Sequence, residues 1–454
     1  MNDYGIEQNR SAEWVAWAHQ EFNITSWSVQ GGAPPMVVRG GEGSWFWDDS
    51  GKRYLDFQSQ LVNLNLGHQH PEIVKAIKDQ ADKLCYIGPG MANDARSELA
   101  ALVAEVTPGD LKASFFTTGG AAAVENAIRL ARHVTGRQKI VARYRSYHGA
   151  TAAALSITGE PRRWLAEPST PGVVRMLDPY CYRCPMGHTS GCGVCSSTAH
   201  LEELLMYENP SSVAAVIVEP ITGTNGIIVP PPGYLQGLRH LCDKYGIMLI
   251  FDEVMSGFGR TGKWFACDHW DVTPDILCVA KGLNSGYVPL GAMVVREHLF
   301  DWMKTNSFPG GLTYSGHPLA CASGVASIRV YQRDGIVEQA AQRGEQLASR
   351  LHDLMDRHEV IGEVRGKGLF WAIELVNDRA TREPFVPFNA KGPANQPMGR
   401  IIAEALQRGL YLSSFSNIVR IAPPLTISAD DLDIGCDVLD EVLKVAASVS
   451  TGRV

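Results

Sequence analysis

Lys281 stands where an apolar run, ILCVA, gives way to KGL. Loss of water disfavours an ammonium, so a lysine in such a place can present a free amine nucleophile. Two more apolar runs end in acids, VIVEP in Glu219 and LIFDEV in Asp252 and Glu253. A carboxylate there is costly unless it finds a partner. A fourth run, FFTTGGAAAVENAIRLAR, stops at Gly119 and Gly120 and passes straight into helical periodicity. The free N–H groups of a helix N-terminus, with the helix dipole, form an anion cup, and glycine lets backbone approach a phosphate closely. Each signal has a plain alternative. Gly-Gly pairs turn chains, strand-end acids are capped or solvated, and a lone lysine snorkels to the surface.

The set says more than its members. Phosphate cup, acid and lysine follow in that order, and Asp252 precedes Lys281 by 29 residues, one βαβ step. A phosphate, a cationic ring nitrogen and an aldehyde need those three partners respectively. This is the logic of a pyridoxal phosphate site, in which a lysine takes the aldehyde and an acid the pyridinium nitrogen.

Elements able to position such a set are legible around it. Short β-rich runs at 113–116, 140–144, 213–218, 248–251, 276–279 and 292–295 alternate with amphipathic stretches. Val124, Ala127, Ile128 and Ala131 share one helical face, and Leu235, Leu238, Leu241 and Cys242 do much the same. The alternation predicts an α/β fold with a mostly parallel sheet under helices, its ligands at the carboxyl ends of the strands. The flanks read as α+β: a hairpin over 44–57, strands at 370–375 and 418–422, a helix at 398–407 and a final helix. The expected division is a large domain at 66–328 and a smaller one built from 1–65 and 329–454.

Composition closes off other classes. The chain has 454 residues, of which 45% are hydrophobic and 20% charged, as in a soluble globular protein. A formal charge of −7 argues against nucleic acid, which needs a basic surface. No apolar stretch reaches the roughly 18 residues of a spanning helix, and residues 1–10 show no signal sequence, so a cytoplasmic location with no membrane contact is expected. Cys181, Cys184, Cys192 and Cys195 form C-x2-C-x7-C-x2-C. The gap of seven is shorter than the roughly 15 to 20 residues of common four-cysteine zinc sites. A structural zinc staple and a thiol-rich loop both remain open, and neither supplies a catalytic metal.

From about Gly43 to Ile434 the chain resembles the class III pyridoxal-phosphate aminotransferases, the ω-amino acid and ω-amine transaminases. The motifs are LGHQHPEIVKAI (66–77), SYHGAT (146–151), VEPITGTNGIIVPPPGYL (218–235), FDEVMSGFGRTGKWF (251–265), AKGLNSGYVPLGA (280–292), TYSGHPLACA (313–322), RGKGLFWAIEL (365–375) and RIAPPLT (420–426). The resemblance implies fold type I and pyridoxal 5'-phosphate as cofactor. It makes Lys281 the Schiff-base lysine and proton carrier, and Asp252 the pyridinium partner. Tyr147, next to His148, would stack on one ring face and Val254 on the other. Gly119, Gly120 and Ala121 match the phosphate loop, and Glu219 the acid beside the ring hydroxyl. Thr313 matches a phosphate ligand given to the neighbouring subunit, which implies a homodimer or a tetramer. Arg420 matches the arginine that forks onto a substrate carboxylate. Leu61 and Val62 are expected along the substrate pocket.

There are four departures from the family pattern: Ala121 with Ala122 in the phosphate loop, Ala150 after His-Gly, Thr224 after VEP, and Met255 after DEV. Ala150 lacks the arginine of ornithine- and γ-aminobutyrate-type members, and Thr224 lacks the glutamate that masks their main arginine. The expected reaction is therefore ping-pong transfer from an ω-amine or short ω-amino acid to a keto acid, with pyruvate favoured. An aminomutase or racemase, a decarboxylating transaminase, and a non-catalytic zinc scaffold are the alternatives.

Overall fold

The computed structural model describes residues 10–184 and 196–450. Its central sheet contains the strands β1 (Leu111–Thr117), β2 (Lys139–Arg143), β3 (Val173–Met176), β4 (Val213–Val218), β5 (Met248–Asp252), β6 (Ile276–Ala280) and β7 (Gly291–Arg296). They lie in the order β1-β7-β6-β5-β4-β2-β3. Neighbours from β3 through β6 pair in parallel, while β7 is antiparallel to both β1 and β6. Every residue of β4 and of β6 is buried. That is why both read as unbroken apolar runs: helices cover both faces, so neither face needs polar side chains. The helices Gly120–Thr135 and Tyr234–Tyr245 bury the two predicted apolar stripes. β3 escapes the sequence pattern, because a four-residue edge strand with Arg175 inside it carries little apolar signal.

Two smaller sheets flank this one. Val38–Glu42, Trp45–Asp48 and Arg53–Asp56 form an antiparallel meander, the last pair of which is the predicted hairpin. Leu410–Tyr411 adds to its edge in parallel, so chain from near both ends shares one sheet. The other sheet runs Ile361–Lys367, Phe370–Asp378, Ile418–Ile421, Ser413–Phe415.

Arg260 ties these parts together. Fully buried, it donates to the carbonyls of Leu369 (3.1 Å) and Pro423 (2.5 Å) and to Ser59 Oγ (3.2 Å) and Asn65 Oδ1 (2.8 Å). One guanidinium thus joins the N-terminal segment, the central sheet's connections and the strand region that carries Arg420. No described helix is long and apolar enough to cross a membrane.

Candidate active site

Five strands point their carboxyl ends at one place. β1 ends just before Gly119, where the helix Gly120–Thr135 begins. β2 leads to Tyr147 and His148, β4 to Glu219, β5 ends in Asp252, and β6 is followed at once by Lys281. A cavity of about 280 Å³ is lined there by Gly120, Ala121, Tyr147, His148, Glu219 and Asp252, with Gly149, Ala150, Val254, Met255 and Lys281 completing it. Lys281 leaves its strand with φ +47°, in the left-handed region that a side-chain-bearing residue adopts only under constraint. The turn swings its amine off the sheet and into the cavity.

The floor carries a bonded set of polar groups. Asp252 is buried, receives Nδ1 of His148 at 2.7 Å on Oδ2, and accepts the Val254 N–H at 3.1 Å on Oδ1. His148 is buried as well, and its Nε2 has no partner among the described residues. Glu219 accepts the N–H groups of Tyr147 (3.2 Å) and Gly223 (2.7 Å). Burial pushes its carboxyl up, and nearby Asp252 pushes the same way. Burial lowers Lys281 to about 8, against the pull of the Asp252 and Glu219 charges; Arg420 and Arg162 add to the lowering. A lysine so placed is a competent nucleophile and proton carrier near neutral pH. Glu253 faces elsewhere. It binds Ser256 Oγ (2.7 Å) and the N–H groups of Ala266 and Cys267 (2.8 Å each), a structural task.

The mouth, the pair of guanidinium groups that act on Lys281 from outside the cavity's lining, is built from less regular chain. Arg420 sits on the strand Ile418–Ile421 and donates to Ser413 Oγ of the neighbouring strand at 2.5 Å, while its buried Nε has no acceptor among the described residues. Burial lowers its guanidinium to about 10. Arg162 lies in the short turn Pro161–Ala166, with its guanidinium 3.8 Å from the centre of the Tyr147 ring and 5.4 Å from that of Trp27. Its Nε pairs with the buried carboxylate of Glu160, and its Nη2 has no acceptor among the described residues. Among the described residues Arg420 has no ion pair.

A class III aminotransferase profile matches residues 27–443. A probable aminotransferase of Mycobacterium tuberculosis is 37% identical, over 92% of this chain and 90% of its own. The taurine–pyruvate aminotransferase of Bilophila wadsworthia is 36% identical, over 88% of this chain and 90% of its own. The solved taurine:2-oxoglutarate aminotransferase of Bifidobacterium kashiwanohense, in complex with pyridoxal phosphate and glutamate, superposes with a TM-score of 0.93 at 42% identity. That match covers 98% of this chain and all of the other. The chain belongs to the class III aminotransferases. Its fold is fold type I and its cofactor is pyridoxal 5'-phosphate.

The side chains of this aminotransferase fit that cofactor. The first N–H groups of the helix Gly120–Thr135 have no intrahelical acceptor and can hold a phosphate, although Ala121 and Ala122 bring no hydroxyl. Gly120 must stay bare, since a Cβ there would come within 2.8 Å of Val254 Cγ2. The same contact places Val254 against the cradle. Asp252 offers a buried carboxylate for a ring nitrogen, and Lys281 an amine for an aldehyde.

Other expected residues lie apart from the cavity. Thr313 is exposed, and its carbonyl accepts the Tyr86 hydroxyl at 2.9 Å. Leu61 is 73% exposed and Val62 only 2% exposed, within the hydrophobic core; neither lines the cavity. Ala150 lies at the cavity's exposed rim. Thr224 rests its hydroxyl 3.6 Å from Met255 Sδ and brings no acid to Arg420. Cys181 and Cys184 belong to and follow a short turn, whereas Cys192 and Cys195 lie outside the described residues. Sequence reasoning missed Trp27, Glu160, Arg162 and Ser413. Arg162 gave no periodic signal, and Ser413 is found only through its cross-strand pairing with Arg420.

Proposed function

We propose that the enzyme transfers an amino group from a short ω-amino acid or ω-amine to a keto acid, with pyruvate as the acceptor, in a ping-pong cycle. The observation that carries this reading is the pair of guanidinium groups, Arg420 and Arg162, near a floor made of Lys281 and Asp252. An amine directed to the floor leaves an anion at the other end of the same molecule within reach of the mouth. Taurine, named for two of the relatives, has that form, with a sulfonate as its anion. Thr224 leaves Arg420 unmasked, which supports a keto acid docking there in the second half-reaction.

Pyridoxal phosphate supplies the aldehyde that takes the amine and the ring that accepts the electrons of the broken C–H bond. Lys281 carries the proton from the donor carbon, and its lowered affinity for that proton suits it to give it back. Asp252, held by His148, would pair with the ring nitrogen. Arg420 orients the carboxylate, with Ser413 fixing one side of the guanidinium. We further propose a homodimer in which Thr313 serves the neighbouring subunit's phosphate. Its exposure supports this, together with the exposed Tyr86, Met91 and Tyr314 around it. An active monomer in light scattering would sink that part.

A donor panel tests the reading: taurine, β-alanine, an uncharged amine and ornithine, each with pyruvate and with 2-oxoglutarate. Short ω-amino donors with pyruvate should lead, and a strong preference for ornithine would overturn the proposal. Turnover without any keto acid would point instead to an isomerase, and carbon dioxide release to a decarboxylating enzyme.

A further inference from the structure

Three charged side chains gather at the mouth. Arg162 and Arg420 are close enough for their charges to oppose one another, and Glu160 acts on both. Glu160 is buried, and Pro161 restricts the backbone on its C-terminal side. The carboxylate is held beside Arg162 by this ion pair and is shielded from water. Arg162 in turn lies flat on Tyr147, a residue that lines the cavity. Among the described residues Arg420 has no ion pair, and Thr224 sets its hydroxyl against Met255 Sδ.

We propose that Glu160 is a specificity-determining residue: by cancelling the charge of Arg162, it limits how strongly the mouth favours a substrate with two carboxylates over one with a single carboxylate. This rests on the reading that Arg162 and Arg420 face the substrate. With Glu160 in place the mouth carries one net positive charge, matched by one anion. Without it the mouth carries two, and a second anion gains the most. Glu160 acts through Arg162, so it positions and tunes a binding group and is not a catalytic residue.

The test uses the holoenzyme and two unreactive probes of equal chain length, pentanoate and glutarate. Their dissociation constants are measured by calorimetry, so no turnover is needed. Failure of the donor panel would leave this result untouched. In Glu160→Gln the preference for glutarate over pentanoate should rise by about threefold or more relative to the unsubstituted enzyme, because a nearby opposing charge is gone. Glu160→Asp keeps the charge and should keep the original preference. If Glu160→Gln does not accumulate as holoenzyme, Glu160→Ala removes the same charge and carries the same expectation. A smaller rise in the charge-removing variant overturns the proposal, as does an equal change in Glu160→Asp. Equal weakening of both probes would mark Glu160 as merely structural and overturns it too.

Discussion

The floor and the mouth of the cavity are made of similar groups but assembled in opposite ways. On the floor, Asp252, Glu219 and Lys281 sit at the ends of buried parallel strands, and the two acids are held by short-range partners: a ring nitrogen and three backbone N–H groups. At the mouth, Arg162 and Arg420 each keep a buried N–H with no acceptor among the described residues, one on a short turn and one on a strand of a small flanking sheet. Unpaired buried donors are costly, and a ligand anion would satisfy them. The floor acids are already bonded, although His148 Nε2 is not, while the two guanidinium groups keep donors that a substrate anion would satisfy. A rigid floor suits a reaction common to a whole family. A mouth with spare donors suits a choice among substrates.

Breaking the floor should therefore stop the reaction whatever the substrate. Lys281→Ala is expected to lower kcat by about 10⁵-fold or more with every donor, because the amine proposed as both nucleophile and proton carrier is lost. Equal loss across the donor panel is the check. Asp252→Asn comes next, with kcat down by about 10² to 10³-fold and no change in donor ranking, since an aimed charge is replaced by a dipole. A donor-selective loss in either variant would mean that floor and mouth are not separate devices.

Breaking the mouth should do the reverse. Arg420→Ala is expected to reduce kcat/KM for the keto acid by about 30- to 100-fold, the usual cost of removing one partner from a buried charge-assisted pair. An uncharged amine should keep its rate in the donor half-reaction. Stopped-flow measurement of the two half-reactions separates these outcomes.

The same contrast explains what could be read from the residues alone. β4, β5 and β6 are buried on both faces, so their apolar runs announce both the sheet and the residue at each run's end. Glu219, Asp252 and Lys281 were visible for that reason. Glu160 and Arg162 follow a six-residue helix and stand at a 3-10 turn, where no period marks a face. Ser413 gains meaning only from pairing with Arg420, a register that hydrophobic patterning does not set. Leu61 and Val62 illustrate a different limit. Ser59, Gln60 and Val62 all have positive φ, so alternation no longer tells which side chain turns inward. Local periodicity encodes the floor, and tertiary pairing encodes the mouth.

Lys281 also offers a way to measure how far the two regions act on each other. Its affinity for a proton is lowered to about 8, first by burial and then by the charges of Arg420 and Arg162, while Asp252 and Glu219 oppose the change. Only the neutral amine attacks an aldehyde. Capture of pyridoxal phosphate by the cofactor-free protein should thus speed up about tenfold per pH unit below that value and level off above it. The sign follows from the cation: a lowered value means that the free amine appears at lower pH than in an ordinary lysine. Arg420→Ala removes one of the repelling charges, so the bend in the profile should move upward, by about 0.3 in pH for a partly screened pair. An unmoved bend would mean that burial alone sets the amine and the mouth acts only on the substrate. A downward move would contradict the charge arrangement itself, because losing a nearby cation can only make the ammonium easier to keep.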